Sequence, residues 1–165
     1  MNRLEQFDIQ FASDAQAKLP DKVTLQGRYA RLEPLNTEKH HRSLYQNFLA
    51  TPDAFEWLFV PEIKTIEDFK AYCMSREQNP RLTTFVISKI GQPDDFIGIN
   101  GLSEPVTKHK KITLELGLYS SKLQSTAAST ESYYLLMRYA FGELGFQRIS
   151  VKDILPQNQR ATRTV

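Results

Sequence analysis

Residues 122–144 read KLQSTAASTESYYLLMRYAFGEL, a loop of small residues that leads directly into an apolar helix. The strand-like run ITLELGL, at residues 112–118, comes just before it. This order favours a cradle for an anion, because the first N–H groups of a helix have no partner within it and the helix dipole adds partial positive charge there. The alternative is an ordinary strand-to-helix turn in which serine and threonine side chains cap the helix.

The remainder of the chain alternates between patterns typical of strands and of helices. Strands are predicted at residues 23–35, 83–89, 95–102 and 112–119, and helices at residues 37–49, 65–76 and 130–144. Asn36 or Thr37 is expected to cap the first helix and Thr65 the second. The aromatic segment 51–62 is predicted to form a short helical turn and loop. This alternation predicts one α/β layered domain over residues 23–165, preceded by a polar arm at residues 1–22.

Composition limits the classes of protein to which the chain can belong. With 165 residues, 41% of them hydrophobic, the chain can bury one sizeable core. The net charge is only +2 and no long basic run is present, so neither a nucleic-acid surface nor a nucleic-acid partner is expected. Cys73 is the one cysteine, which excludes an internal disulfide and favours a packing role. The sequence has no membrane-length apolar run and no signal-peptide core, so a cytoplasmic protein without a membrane partner is expected.

The loop and helix also resemble a known family. QSTAASTE at residues 124–131 and YLLMRYAF at residues 134–141 resemble the coenzyme A loop and helix of the GNAT acyltransferases, in the branch named for the ribosomal-protein acetyltransferases RimJ and RimL. Residues 23–35, 96–101, 114–117, 148–152 and 158–160 resemble, in order, further strands of that branch and the start of its last helix. The resemblance implies a mixed, mostly antiparallel central sheet with helices on both faces.

A second implication of the resemblance concerns the co-substrate, acetyl-coenzyme A. Ala127 and Ser129 stand where the family usually has glycine, and such small residues still permit close approach of a ligand to the backbone if φ stays negative. Glu131 is expected to point sideways, away from a bound pyrophosphate. The residues that the resemblance assigns to coenzyme A binding are Leu118, Gln124, Ser125, Thr126, Ala127, Ala128, Ser129, Thr130 and Asn158.

The resemblance implies an N-acetyltransferase that moves an acetyl group from acetyl-coenzyme A to a primary amine of a protein N-terminus or a small molecule. The attacking amine must be neutral, and a carboxylate can remove its proton. Glu115 is the candidate base, with a structural ion pair to a neighbouring strand as the alternative. Asn100 and Glu104 are weaker candidates. No metal is expected, because His40 and His41 point apart on one helix and His109 lies in a turn.

The pattern of the predicted strand at residues 112–119 supports the placement of Glu115. A strand turns alternate side chains to opposite faces. One face is therefore expected to carry Ile112, Leu114, Leu116 and Leu118, and the other Thr113, Glu115, Gly117 and Tyr119. Glu115 is thus expected to lie on the same face as Tyr119.

The end of the chain departs from the family pattern. Asn158 is expected to open a final helix, followed by two more strands, but the sequence ends at Val165, and Ala161 stands where a serine is expected. The prediction is a fold without its last helix and strands, with self-association through an uncovered sheet edge and slow or absent transfer. The alternatives are a non-catalytic remnant that binds coenzyme A or a partner chain, and a generic α/β interaction module.

Overall fold

The computed structural model describes residues 16–51, 55, 62–115 and 117–151. In these residues six strands form one sheet in the order β1-β2-β3-β4-β5-β6. Neighbouring strands are antiparallel except β5 and β6, which are parallel. The strands are β1 Leu25–Gln26, β2 Ala30–Pro34, β3 Leu82–Lys89, β4 Phe96–Val106, β5 Lys111–Glu115 and β6 Arg148–Val151. The helices are α1 Thr37–Leu49, α2 Ile66–Gln78 and α3 Ala127–Arg138. The predicted mixed, mostly antiparallel sheet is confirmed.

Local capping signals fix where the first two helices begin. The Asn36 side chain accepts a hydrogen bond from the Lys39 N–H (3.0 Å) at the start of α1. Thr65 and Asp68 form a capping box at the start of α2, each side chain accepting a hydrogen bond from the other residue's N–H. The third helix begins at Ala127, earlier than predicted, and after Arg138 it continues as a wider π-helical turn, Tyr139–Glu143.

Two apolar clusters cover the two faces of the sheet. The α3 face carries Leu32, Phe85, Ile112 and other buried side chains that pack against Leu136 of α3. The opposite face packs β3 and β4 against α1 and α2, and Cys73 lies fully buried there, as its predicted packing role requires. Helices therefore lie on both faces, as expected for the fold.

The single strand predicted at residues 23–35 is wrong. The chain reverses at residues 27–29, so that β1 and β2 pair as an antiparallel hairpin. Gly27 allows the Glu131 carboxylate to lie against this turn, because a Cβ atom there would overlap it. Glu131 in turn accepts hydrogen bonds from the N–H groups of this turn. The contact joins residues about a hundred positions apart in the chain, so local sequence patterns do not reveal it.

The strand predicted at residues 112–119 also differs from the structure. Regular pairing ends at Glu115, and an isolated bridge joins Tyr119 to Gly98. Leu118 packs in the cluster on the α1 and α2 face, whereas Tyr119 packs on the α3 face, so the predicted alternation is wrong beyond Glu115. At Gly117 the backbone passes so close to the Ile99 carbonyl that a Cβ atom would overlap it. The chain therefore leaves the regular ladder where the candidate site begins.

Several predictions fall outside the described residues, including most of the turn predicted at residues 51–62, most of the N-terminal arm, and the final helix that was expected to begin at Asn158. The described end of the arm contacts the body, where the Lys18 N–H donates to the Leu144 carbonyl (2.8 Å). In the described part of the chain, no helix combines the length and apolar character needed to cross a membrane.

Candidate functional site

The loop before α3 is held from within by its own backbone and by Gln124. The N–H groups of Leu123 and Gln124 both donate to the Ser120 carbonyl, and the Gln124 side-chain amide donates to the Tyr119 carbonyl (2.9 Å). The Leu123 side chain is fully buried. Ser125 then takes a left-handed backbone conformation, with φ of +58°, that turns the chain into the helix. These contacts fix the loop, so its remaining amides are presented in a defined arrangement.

Four consecutive amides at this helix start make no hydrogen bond to any described residue: those of Ser125, Thr126, Ala127 and Ala128. The next amide, of Ser129, donates to Thr126 Oγ1 (3.2 Å), so Thr126 is the cap. No acidic residue lies in the first turn. Unpaired N–H groups at the positive end of a helix dipole form a binding site for a phosphate group.

The side chains of this loop leave the backbone accessible. Ala127 is exposed, whereas Ala128 is buried in the α3-side cluster. Ala127 and Ser129 both lie in regular helix, and in the loop the left-handed conformation falls on Ser125 instead. The two positions where the family usually has glycine therefore impose no backbone conformation that alanine or serine cannot adopt. Thr130 is exposed on the same first turn.

Glu131 points away from the free amides, as the sequence predicts. Its carboxylate accepts hydrogen bonds from the N–H groups of Arg28 (2.9 Å), Tyr29 (2.6 Å) and Ala30 (2.7 Å). Burial raises the pKa of Glu131, but these three donors outweigh it and hold the pKa below its usual value. The negative charge of Glu131 is therefore held and stabilised at the β1–β2 turn.

The segment after Glu115 offers one further unpaired backbone donor. The Leu118 carbonyl accepts from the Ile99 N–H (2.8 Å), but the Leu118 N–H makes no hydrogen bond to a described residue. The next residue, Tyr119, is held by its hydroxyl, which contacts Asn100 Nδ2 (2.9 Å) and Ser132 Oγ (3.0 Å). Burial raises the pKa of Tyr119 well above its usual value. Asn100 thus positions Tyr119 and has its side chain engaged there.

Glu115 lies at the end of β5, and its two carboxylate oxygens face different partners. Ser103 Oγ on β4 donates to Oε1 (2.6 Å), and Arg76 Nη2 on α2 lies 3.6 Å from Oε2. The side chain of Glu115 retains 28% of its accessible surface. The sequence predicted a base or an ion pair with a neighbouring strand, and the ion-pair partner comes instead from a helix. Glu104, the weaker candidate, lies at the irregular end of the β4–β5 pairing.

Sequence reasoning did not identify Arg76. Its guanidinium stacks over the Tyr72 ring, 5.6 Å from the ring centre, and Nη1 donates to the Tyr72 hydroxyl (3.3 Å). Nε is buried and has no hydrogen-bond partner among the described residues. A Tyr and an Arg four positions apart share one helix face, and this spacing could have revealed the pair.

Arg76 also lines a cleft of about 330 Å³ between the end of α2, the ends of β2 and β3, and the end of the N-terminal arm. Thr84, on the cleft wall, carries a buried hydroxyl that likewise has no hydrogen-bond partner within the described part of the chain. The other lining residues are Pro20, Asp21, Lys22, Pro34, Leu35, Glu77, Gln78, Asn79, Pro80, Leu82 and Thr83.

Other reactive side chains serve packing or capping. Burial raises the pKa of the Cys73 thiol to about 12, which suppresses the thiolate needed by a nucleophile. His40 is 1% exposed, and its Nε2 lies 2.8 Å from Glu33 Oε1. In the part of the chain that the structure describes, His, Cys, Asp and Glu form no group of three or more that could hold a metal ion.

Comparison with solved structures places the fold. A probable acetyltransferase (GNAT family) from Chromobacterium violaceum superposes with a TM-score of 0.82 at 21% identity, over 94% of this chain and 77% of that one. A GCN5-related N-acetyltransferase from Brucella melitensis gives a TM-score of 0.74 at 24% identity, over 82% of this chain and 62% of that one. RimJ from Mycobacterium smegmatis, in complex with CoA-disulfide, gives a TM-score of 0.68 at 14% identity, over 86% of this chain and 72% of that one.

At these identities the structural matches show the fold alone. No protein of curated function matches the chain by sequence. A family model described as an acetyltransferase (GNAT) domain, however, matches residues 30–165, which is most of the chain. The resemblance inferred from the loop and helix is therefore confirmed, and the chain belongs to the GNAT acetyltransferase family.

Proposed function

We propose that this protein transfers an acetyl group from acetyl-coenzyme A to a primary amine. The observation that carries the proposal is the run of free amides at the start of α3, which follows Glu115 at the end of β5 and the irregular segment that contains Leu118. The same chain segment thus provides donors for a pyrophosphate and polar groups for acyl transfer. Membership of the GNAT family supports this assignment.

The free amides of residues 125–128 would hold the pyrophosphate of coenzyme A. The side chains there suit this role, because Ala127 is small and exposed and because Glu131 directs its charge to the β1–β2 turn. The unpaired Leu118 N–H would donate to the thioester carbonyl, whose oxygen gains negative charge as the amine attacks. The thioester supplies an activated acetyl carbon, to which the amine nitrogen bonds as the carbon–sulfur bond breaks.

Glu115 would act as the base. Its carboxylate is partly exposed, and Ser103 and Arg76 fix its position. It takes a proton from the acceptor ammonium and passes it to solvent, while the departing sulfur is protonated from solvent. The 3.6 Å separation from Arg76 Nη2 exceeds a normal hydrogen-bond length, so one carboxylate oxygen remains available to the acceptor.

A second function is supported by the same ion pair. A carboxylate that serves chiefly to hold α2 against the sheet would leave a protein that binds coenzyme A without turnover. Arg76 and Glu115 connect α2 to β5 in this way. The two functions differ in the effect of removing the charge of Glu115, because loss of a base slows transfer, whereas loss of an ion pair lowers stability.

The test combines binding with turnover. Equilibrium binding of acetyl-coenzyme A and of coenzyme A is measured first, followed by thioester consumption with a panel of amines. Glu115→Gln is expected to lower turnover about a hundredfold or more and to leave coenzyme A affinity nearly unchanged. The exposed residue Glu67 provides a matched control, Glu67→Gln, which should change neither quantity. Normal specific activity of a destabilised Glu115→Gln protein would favour the structural role.

A further inference from the structure

The guanidinium of Arg76 has more hydrogen-bonding capacity than its neighbours use. Nη1 donates to the Tyr72 hydroxyl, Nη2 lies 3.6 Å from Glu115, and buried Nε has no partner among the described residues. A buried polar group without a partner is unfavourable unless a ligand or water completes it. The side chain of Arg76 still retains 15% of its accessible surface, so it remains open on one side.

That open side faces a cleft of suitable size. Arg76 and Thr84 lie on the wall of the cleft, about 330 Å³ in volume, which falls at the lower end of the range for small-molecule sites. The buried Thr84 hydroxyl also has no partner among the described residues. Arginine binds a carboxylate through parallel hydrogen bonds, and the Thr84 hydroxyl belongs to the same cleft wall.

The acidic groups that line the cleft already accept hydrogen bonds. The Glu77 carboxylate accepts from the Thr37 N–H (2.9 Å), and the Asp21 carboxylate accepts from the Lys22 N–H (2.7 Å). Arg76 provides a positive charge on the cleft wall, and Glu115, which does not line the cleft, provides a negative charge 3.6 Å from Arg76 Nη2. This pair suits a neutral ligand with two opposite charges and does not suit a polyamine, which would need several carboxylates.

An α-amino acid has this distribution of charge, because its ammonium and carboxylate groups are attached to one carbon atom. Glu115, the proposed base, lies outside the cleft lining but 3.6 Å from Arg76 Nη2, and both side chains are partly exposed, so a carboxylate bound to Arg76 would bring the neighbouring amino group toward Glu115. We propose that Arg76 binds the α-carboxylate of the acceptor and so selects free α-amino acids, an inference that rests on the proposed acetyl transfer. Arg76 is on this basis a specificity-determining residue.

The first experiment needs no variant. Acetylation by the intact protein is measured for a panel of free amino acids, each compared with its amide and with its decarboxylated amine. The expected kcat/KM for a preferred amino acid exceeds that of both analogues by about a hundredfold, since the analogues leave the charge of Arg76 unpaired. Equal values for the three compounds overturn the proposal, as does a preference for peptides with an acidic N-terminal residue.

The second experiment uses variants. Arg76→Gln should lower kcat/KM for the amino acid about a hundredfold more than it lowers kcat/KM for the decarboxylated amine, because both acceptors lose the contact that positions Glu115 but only the amino acid loses a partner for its carboxylate. Arg81 is exposed and is not among the residues that line the cleft, so Arg81→Gln serves as the matched control and should alter neither value. An equal loss for both acceptors in Arg76→Gln would show that Arg76 acts only by holding Glu115, and would overturn the proposal.

A binding measurement separates this proposal from the acetyl transfer on which it rests. N-acetyl amino acids and N-acetyl amines are titrated against the protein loaded with coenzyme A. Binding that requires the carboxylate and is lost in Arg76→Gln, in a protein without transfer activity, supports the Arg76 site and overturns the proposed activity. Equal transfer to acceptors with and without a carboxylate has the opposite meaning, because it supports the acetyl transfer and overturns the Arg76 site.

Discussion

The starts of α1 and α3 satisfy the same physical requirement in different ways. At α1, Glu77 of α2 accepts from the Thr37 N–H (2.9 Å) and the Asn36 side chain accepts from the Lys39 N–H (3.0 Å). At α3, Thr126 caps the Ser129 amide, and the amides of residues 125–128 remain without a partner among the described residues. One helix start is closed by carboxylate and amide side chains from its own chain, and the other is left open.

The difference indicates where a ligand belongs. The positive end of a helix attracts negative charge, and α1 already has it from Glu77 and Glu38. The first turn of α3 has no acidic residue, and the carboxylate of nearby Glu131 accepts hydrogen bonds from the β1–β2 turn. An anion from outside can therefore be accommodated at α3 but not at α1. Substitutions at these two helix starts should have opposite consequences, for affinity in one case and for stability in the other.

The largest effect is expected when the open helix start is given a carboxylate of its own. Ala127→Asp places a negative charge beside the free amides, so we expect coenzyme A affinity to fall more than about a hundredfold by repulsion of the pyrophosphate. Ala127 is exposed and is the first residue of α3, where aspartate suits the helix dipole, so stability should not fall. Calorimetric titration and thermal unfolding measure the two quantities.

The matched control is Ala71→Asp, at an exposed position of α2, which should leave the affinity unchanged. Ala128 is a poorer site for the test, because its side chain is 3% exposed within the α3-side cluster and a buried carboxylate would itself lower stability. Full coenzyme A affinity in a folded Ala127→Asp protein would exclude the start of α3 from the binding site.

The two helix starts also show what sequence can predict. Asn36 and Thr65 are capping residues whose partners lie within one helical turn, so the starts of α1 and α2 follow from local pattern. At α3 the sequence predicts a helix start after the small-residue loop but leaves open whether its amides are free, and the helix begins at Ala127, before the predicted position. Glu77 at α1 could not, because its partner, Thr37, belongs to a different helix.

Contacts between distant residues and changes in strand regularity account for the remaining errors. The hairpin at Gly27 depends on Glu131, far along the chain, and the partner of Glu115 is Arg76 on a helix. The two-residue alternation predicted for residues 112–119 holds only while the strand stays regular, and it fails where Gly117 passes the Ile99 carbonyl. The position of Glu115 was therefore predictable, but its environment was not.

A second effect concerns Glu131, whose charge serves the β1–β2 turn. Glu131→Gln weakens three hydrogen bonds to backbone donors, and we expect a loss of about 2 kcal/mol in the free energy of unfolding, since hydrogen bonds to charged groups exceed those to neutral ones. Coenzyme A affinity should stay within about twofold of the original. A marked gain in affinity would show instead that Glu131 repels the bound anion. Urea unfolding and calorimetry measure both, with Glu67→Gln as the control.

A smaller effect is expected at the closed helix start. Glu77→Gln removes the charge that meets the Thr37 N–H, and we expect a loss of about 1 kcal/mol in stability because the carboxylate is only partly buried. Coenzyme A affinity should not change, since α1 does not provide the binding amides. Urea unfolding measures the loss. A fall in coenzyme A affinity without a fall in stability would contradict the division of roles between the two helix starts.

The smallest effect is the pH dependence contributed by the closed helix start. Burial lowers the pKa of His40, although hydrogen bonding to Glu33 opposes the change. His40 Nδ1 accepts from the Asn36 N–H (3.0 Å), so the neutral ring suits the folded state. The hydrogen bond to Thr37 lowers the pKa of Glu77, and the hydrogen bonds from Lys39 and His40 lower that of Glu33 despite its burial.

All three pKa values are lowered in the folded protein, so all three groups make the protein less stable as pH falls. As pH falls below about 6.5, the unfolded chain takes up a proton at His40 before the folded protein does, so the free energy of unfolding decreases with a slope of at most about 1.4 kcal/mol per pH unit for that group. The contributions of Glu33 and Glu77 to stability are present above the unfolded pKa of a glutamate and are lost as pH falls through the lower folded pKa values.

Urea unfolding at a series of pH values measures how the free energy of unfolding depends on pH. His40→Gln should flatten this dependence between about pH 7 and pH 5 and reduce the acid limb only by the part of the Glu33 shift that His40 causes, because Lys39 and Thr37 still lower the pKa of Glu33 and Glu77. An unchanged curve between those limits would mean that the His40 ring does not distinguish the folded from the unfolded state, and that the start of α1 is closed by its carboxylate and amide side chains alone.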